Sequence, residues 1–248
     1  MIMNKTLLTP EKDPMGLAIR DFYENKKTEV LRIFSPQFEE DEFPIAHLFR
    51  TFDEMPEVEQ KALTLAEGKI LDVGAGSGCH TIALYQMGKK EVDAIDISQL
   101  SVEVMRSRGI DSVKQLNFFD TDLQGKYDTL LMLMNGSGII ETLENLPRFF
   151  DRARELLTPN GSILMDSSDL SYLYEQEDGS LLFTEEDDHY YGEIEFTLQY
   201  GDVKGEPYTW LYLDLNTLEK AADHFHFKVE PLVIGDYFNF LVRLTPLT

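Results

Sequence analysis

One segment limits the fold of this chain more than any other: Ile70-Leu71-Asp72-Val73-Gly74-Ala75-Gly76-Ser77-Gly78-Cys79-His80. An apolar run enters it, three glycines take alternate positions, and a helical pattern leaves it. The backbone must therefore turn from a strand into a helix across residues 74–78. Glycine reaches positive φ without a Cβ clash and lets the main chain close on a ligand. The amides at the start of the following helix then face that ligand.

The segment opens a longer alternation. Residues 69–73 read as a strand, 80–87 as a helix, 92–97 as a strand, and 99–108 as a helix stopped at Gly109. Strands at 113–116 and 129–134 follow, then a helix over 145–157 closed by Pro159-Asn160-Gly161, then a strand at 162–165. Such alternation builds βαβ units and a parallel sheet covered on both faces. Past Asp166 the pattern breaks: residues 170–192 are irregular, with seven acids and no Lys or Arg within 175–188. Residues 193–200 and 208–214 alternate around Gly201 and Gly205, as in a β-hairpin. Residues 216–225 form a helix capped by Asn216, and strands at 229–234 and 238–244 meet at Gly235-Asp236. Upstream, 11–35 and 43–66 carry helical patterns on either side of an acidic turn at 39–42, with Pro56 opening a helix. The expectation is an α/β protein with a doubly wound, mostly parallel seven-stranded sheet whose last strand is antiparallel. Residues 1–66 would form an N-terminal helical cap or lid, and 67–248 one compact unit holding the inserted hairpin.

Composition narrows the function classes. The chain has 248 residues, 43% of them hydrophobic, enough for a full core. Its 22 Lys and Arg against 45 Asp and Glu give a formal charge of −23. A surface this acidic repels phosphate backbones and argues against nucleic acid as a partner. No stretch reaches the roughly 18 apolar residues of a membrane span. Cys79 is the lone cysteine, which excludes an internal disulfide and suits a reducing compartment, so a cytoplasmic location is expected. No His or Cys falls in metal-ligand spacing, so no metal site is expected.

A second strand ends at Asp96, followed by Ile97-Ser98. A carboxylate there accepts two hydrogen bonds from a ribose diol, so loop and acid describe a pocket for an adenosine-bearing cofactor. The dinucleotide fingerprint is imperfect: counting from Gly74, the sixth position is Cys79. The segment LDVGAGSG resembles the first motif of class I S-adenosylmethionine-dependent methyltransferases, and AIDIS resembles their second. YDTLLMLMNGSG is similar to the fourth strand and its exit loop, and LLTPNGSILMD to the turn into the fifth. The resemblance covers residues 67–169 and implies a Rossmann-like fold with S-adenosylmethionine as cofactor. It implies that Asp72, Gly74, Ala75, Gly76, Ser77 and Gly78 hold the methionine end and Asp96 the ribose. Asn117 or Asp120 would bind the adenine amine, Asn117 being favoured, with Phe118 or Ile97 flanking the base. Asn135 belongs to the second glycine-rich loop, Asn135-Gly136-Ser137-Gly138, which reads either as a contact to the cofactor's amino acid end or the substrate, or as a plain turn.

Methyl transfer is an in-line displacement in which holding the acceptor close supplies most of the acceleration. No catalytic residue is therefore assigned. Asp166, Ser167 and Asp169 belong at the mouth of the site, beyond the carboxyl end of a strand. His189-Tyr190-Tyr191 could close over a substrate or pack a surface flap. Trp210 with Tyr208 and Tyr212 reads as core or as pocket wall, and Arg20, Phe22 and Tyr23 as part of a lid. His80 reads as a packing or capping residue at the helix start. The leading reading is a methyltransferase acting on a small molecule. The alternatives are an NAD(P)-dependent oxidoreductase and a catalytically silent S-adenosylmethionine-binding protein. The sequence sets no oligomeric state.

Overall fold

A computed structural model describes residues 7–25, 29–174 and 189–247. The acidic run at 175–188 lies outside the described residues. In chain order the regular elements begin with α1 (Pro14–Tyr23), β1 (Leu31–Phe34), β2 (Asp41–Phe43) and α2 (Glu57–Leu65). Then come β3 (Ile70–Val73), α3 (Cys79–Gln86), β4 (Val92–Asp96), α4 (Gln99–Ser107), β5 (Val113–Gln115) and β6 (Tyr127–Met132). The chain continues through α5 (Leu146–Leu156), β7 (Leu157–Ser168), β8 (Glu193–Tyr200), β9 (Val203–Lys204) and β10 (Tyr208–Leu211). It closes with α6 (Leu215–His224), β11 (Phe227–Ile234) and β12 (Asn239–Pro246).

The main sheet has seven strands in the order β11-β12-β7-β6-β3-β4-β5. β3 pairs in parallel with both β4 and β6, β4 with β5, and β6 with β7, whereas β12 runs antiparallel to β7. This is the expected sheet, last strand included. The order reverses at β3, so a crevice opens between the carboxyl ends of β3 and β6, where open α/β sheets bind ligands. All four residues of β3 are buried, as a strand covered on both faces requires. α5 shows how the cover is written in sequence: Leu146, Phe149, Phe150, Ala153 and Leu156 recur on one face and are all buried. α4 starts where Ser98 accepts the Ser101 amide at 2.9 Å, and the chain turns out of it at Gly109, φ 89°. α6 is capped by Asp214, which accepts the Thr217 amide at 2.9 Å, rather than by Asn216. The cap falls there because Asp214 has the extended backbone a cap requires.

The N-terminal region departs from the expected helical cap. Leu31 and Ile33, read as helical, lie in β1, and Asp41 and Glu42, read as a solvated turn, form β2 with Phe43, read as the start of a helical region. β1 pairs antiparallel with β8, Leu31 opposite Tyr200, so the partner lies far away in sequence. Together they build a second sheet in the order β10-β8-β1-β2, with β9 on β8. The inserted hairpin is present as β8 and β10, and it recruits the N-terminal strands. A local helical period cannot report such pairing, since the partner supplies the other half of the ladder. No helix among the described residues is long and apolar enough to cross a membrane.

Candidate functional site

The glycine loop has the conformation its composition dictates. Gly74, Gly76 and Gly78 sit at φ 70°, 57° and 82°. A Cβ on Gly78 would run into Ile110 and Met105, whereas nothing lies within 4 Å of a Cβ on Gly76. The loop thus leaves bare backbone facing open space at Gly76. Its base is fixed by the Gly74 and Ala75 amides, which donate to the Ile95 carbonyl at 2.9 and 3.0 Å.

Asp96 lies beside it, at the end of β4. One carboxylate oxygen accepts the Gly76 amide at 2.8 Å and the other the Ser98 amide at 2.8 Å. A carboxylate has about four lone-pair positions, so capacity remains for a diol. Burial lifts the Asp96 carboxyl to about 7, with the Asp13 and Asp72 charges pushing the same way and the two amides pulling it back. Asp72 is 2% exposed and accepts the Thr81 hydroxyl at 2.6 Å. It braces the first turn of α3, so its reach to a ligand runs through the loop.

The turn after β5 brings Asn117 and Asp120 together. Asp120 accepts the Asn117 amide at 2.8 Å, and Asn117 Oδ1 accepts the Phe119 amide at 2.9 Å. Phe118 does not fit the flanking role expected of it: its ring is 2% exposed and packs against Phe149 in the core, centroids 5.8 Å apart. The partly exposed ring of this turn is Phe119. Ile97 is half-buried, and its carbonyl accepts the Leu8 amide and the Gln115 side chain at 2.9 and 3.0 Å.

Across the crevice, the Asn135 loop leaves β6. Asp166 accepts the Gly136 amide at 2.9 Å, and Ser168 donates to Asn135 Oδ1 at 2.8 Å. The single hydroxyl proton of Ser137 lies within reach of both Ser167 Oγ at 2.9 Å and the Leu211 carbonyl at 2.8 Å, and Ser167 donates to the Leu213 carbonyl at 2.9 Å. Trp210 lies flat on this loop, since a Cβ on Gly138 would overlap its indole. Tyr190 donates to Asp214 at 2.6 Å, Tyr191 donates to Asp169 at 3.1 Å, and the two rings lie 4.5 Å apart. The second sheet and its aromatic residues are thereby fastened over the carboxyl ends of β6 and β7.

The expected lid docks from the other side. Asp13 caps α1 through the Gly16 amide and accepts the Ser98 hydroxyl, tying α1 to the end of β4. Phe22 packs on Phe49, and Tyr23 donates to the Ser107 carbonyl at 3.0 Å. The Ser77 hydroxyl donates to the Leu48 carbonyl, and Arg108 donates to the Ser77 carbonyl at 2.6 Å.

Sequence reasoning missed a buried polar link. Arg50 donates from Nη2 to both oxygens of Glu59 at 3.0 Å, and Glu59 pairs with His80 at 2.7 Å, all three side chains buried. Burial alone would favour the neutral forms of Glu59 and His80. The His80 hydrogen bond and the Arg50 charge instead hold Glu59 below the usual carboxylate range. Burial pulls His80 down, but Glu59 and Asp72 outweigh it and raise its pKa. The available signal was an acid beside Val58, on the same face of α2 as Ala62 and Leu63. Burial pushes the Cys79 thiol up to about 12, which rules it out as a thiolate nucleophile.

Bare glycine backbone after β3, a carboxylate at the end of β4 and a mostly parallel seven-stranded sheet define a Rossmann-like α/β protein. The family model described as a methyltransferase domain matches residues 64–212. A crystal structure of a SAM-dependent methyltransferase from Bacteroides fragilis in complex with S-adenosyl-L-homocysteine is 54% identical, each chain covered over 100% of its length, with a TM-score of 0.93. A ribosomal protein L11 methyltransferase from Thermoanaerobacter pseudethanolicus is 32% identical over 92 residues, 35% of this chain and 30% of that protein. The chain thus spans under a third of that relative's length. A S-adenosylmethionine-dependent methyltransferase from Clostridium acetobutylicum shares the fold at 15% identity and a TM-score of 0.57, over 79% of this chain and 94% of that one. The chain belongs to the class I S-adenosylmethionine-dependent methyltransferases, and its cofactor is S-adenosylmethionine.

Proposed function

We propose that the chain transfers the methyl group to a small-molecule acceptor, in the cytoplasm, and that nucleic acid is not its substrate. Gly74, Ala75, Gly76, Ser77 and Gly78 would hold the cofactor's methionine end with their backbone. Asp72 would brace that loop, and Asp96 would accept the ribose diol. Ile97 would flank the base, Asn117 would meet its amine, and Asn135 would face the reacting end. Bound there, the cofactor supplies an electrophilic methyl on a sulfonium. The protein's share is to hold the acceptor in line and exclude water.

The observation that carries the small-molecule reading is the roof: Trp210 on Gly138, Tyr191 on Asp169, and the serine bonds to Leu211 and Leu213. A mouth covered by the chain's own second sheet suits a compact acceptor better than a folded protein surface. The charge of −23 weighs against nucleic acid. The name of the L11 methyltransferase relative is the argument for a protein acceptor. Radiolabelled S-adenosylmethionine incubated with the enzyme and a whole-cell extract separates the readings. Label is expected in the acid-soluble metabolite fraction. Label confined to precipitable protein or to RNA would overturn the proposal, and no transfer would favour a silent binder.

A further inference from the structure

Two consecutive residues with side chains adopt left-handed backbone where β6 ends. Met134 has φ 64° and Asn135 φ 56°. Side chains disfavour that region, and such residues persist where the surroundings hold them, often at functional sites. Here the holding group is identifiable. The Asp166 carboxylate, 6% exposed near the end of β7, accepts the Gly136 amide at 2.9 Å. A buried acceptor on the amide that follows the two left-handed residues fixes the direction of the turn.

The turn in turn sets the crevice wall. It leads into a 3-10 helix, Gly136–Ile140, whose Ile139 Cδ1 would lie 3.2 Å from a Cβ on Gly74. A shift of the turn therefore moves the Asn135 side chain and the wall against the glycine loop together. The remaining tie, from Ser168 to Asn135 Oδ1, fixes the side chain alone.

We propose that Asp166 is a positioning residue for methyl transfer: by accepting the Gly136 amide, it holds the left-handed turn that presents Asn135 and the Ile139 wall to the cofactor's methionine end. The inference rests on the site assignment above. Asp166 acts through the turn and touches neither cofactor nor acceptor.

The test is isothermal titration with S-adenosylhomocysteine, with thermal unfolding followed in parallel. Asp166→Ala removes the acceptor of the Gly136 amide, and should weaken binding about tenfold, or ~1.4 kcal/mol. Glycine takes the left-handed conformation unaided. Met134→Gly in the Asp166→Ala background should therefore recover affinity to within about threefold of the parent, a rescue that general support of the fold would not give. Where the single variant does not fold, the double variant is read in its place. A folded single variant that binds like the parent overturns the inference, as does a double variant that shows no recovery or does not fold. If the parent protein does not bind S-adenosylhomocysteine at all, the cofactor-site assignment falls first and this inference falls with it. If the parent binds and Asp166→Ala changes nothing, only the inference falls.

Discussion

The two walls of the crevice are made in different ways. The cofactor side, from Ile70 to Ser98, is built by residues adjacent in sequence: a strand, glycines at positive φ, a helix start, and an acid at the next strand end. The cover is assembled from distant segments. β1 meets β8 across more than a hundred and fifty residues, Asp13 reaches Ser98, and Arg50 and Glu59 reach His80. The first kind of wall suits a cofactor shared by every member of the family. The second can be rebuilt for a new acceptor without touching the loop.

Breaking the attachment of the cover should have the largest effect. Glu59→Gln leaves the Arg50 guanidinium without its buried counter-charge and His80 without its carboxylate partner, a loss on the scale of about 3–5 kcal/mol. Denaturant unfolding should show it, and a midpoint unchanged from the parent would mean that the cover is held by its apolar contacts alone.

On the cofactor side the expected loss is in binding. Asp96→Ala should weaken S-adenosylhomocysteine binding by about 1–3 kcal/mol, the cost of removing a charge-assisted partner. The sign of the pH dependence follows from the raised carboxyl. Asp96 is protonated below about 7 and accepts hydrogen bonds best when ionised, so affinity should rise as pH passes upward through that value. Binding near neutrality should then release a proton, measurable in buffers of different ionisation enthalpy. A pH profile identical in parent and Asp96→Ala would place the ribose elsewhere.

The smallest effect should come where the two walls touch. Asp13→Ala removes the α1 cap and the bond from Ser98, and should cost about 1 kcal/mol, the usual scale for a lost cap. Affinity for S-adenosylhomocysteine should stay within about threefold of the parent, since Asp96 keeps both its amides. A tenfold loss would show that the cover shapes the ribose site and that the two walls are not separable.

This division also explains what the sequence made legible. Gly74 to Gly78, Asp96 and the strands β3 and β4 depend on neighbours within one βαβ unit, and the other strands of the main sheet carry their own apolar runs and turn residues, so spacing and composition outlined them. β1, β2 and the Arg50–Glu59–His80 link depend on partners that no local window contains. Leu31 and Ile33 fit a helical stripe as well as a strand until β8 is beside them. Phe118 was misplaced for a related reason: its neighbour Phe119 is the ring left partly exposed, and only the packing on Phe149 distinguishes the two.

A crystal structure of the protein grown with S-adenosylhomocysteine tests the central assignment most directly. The ribose hydroxyls should rest on the Asp96 carboxylate, with the homocysteine end against the bare backbone at Gly76. Ligand density elsewhere, or a ribose held by groups other than Asp96, would contradict it.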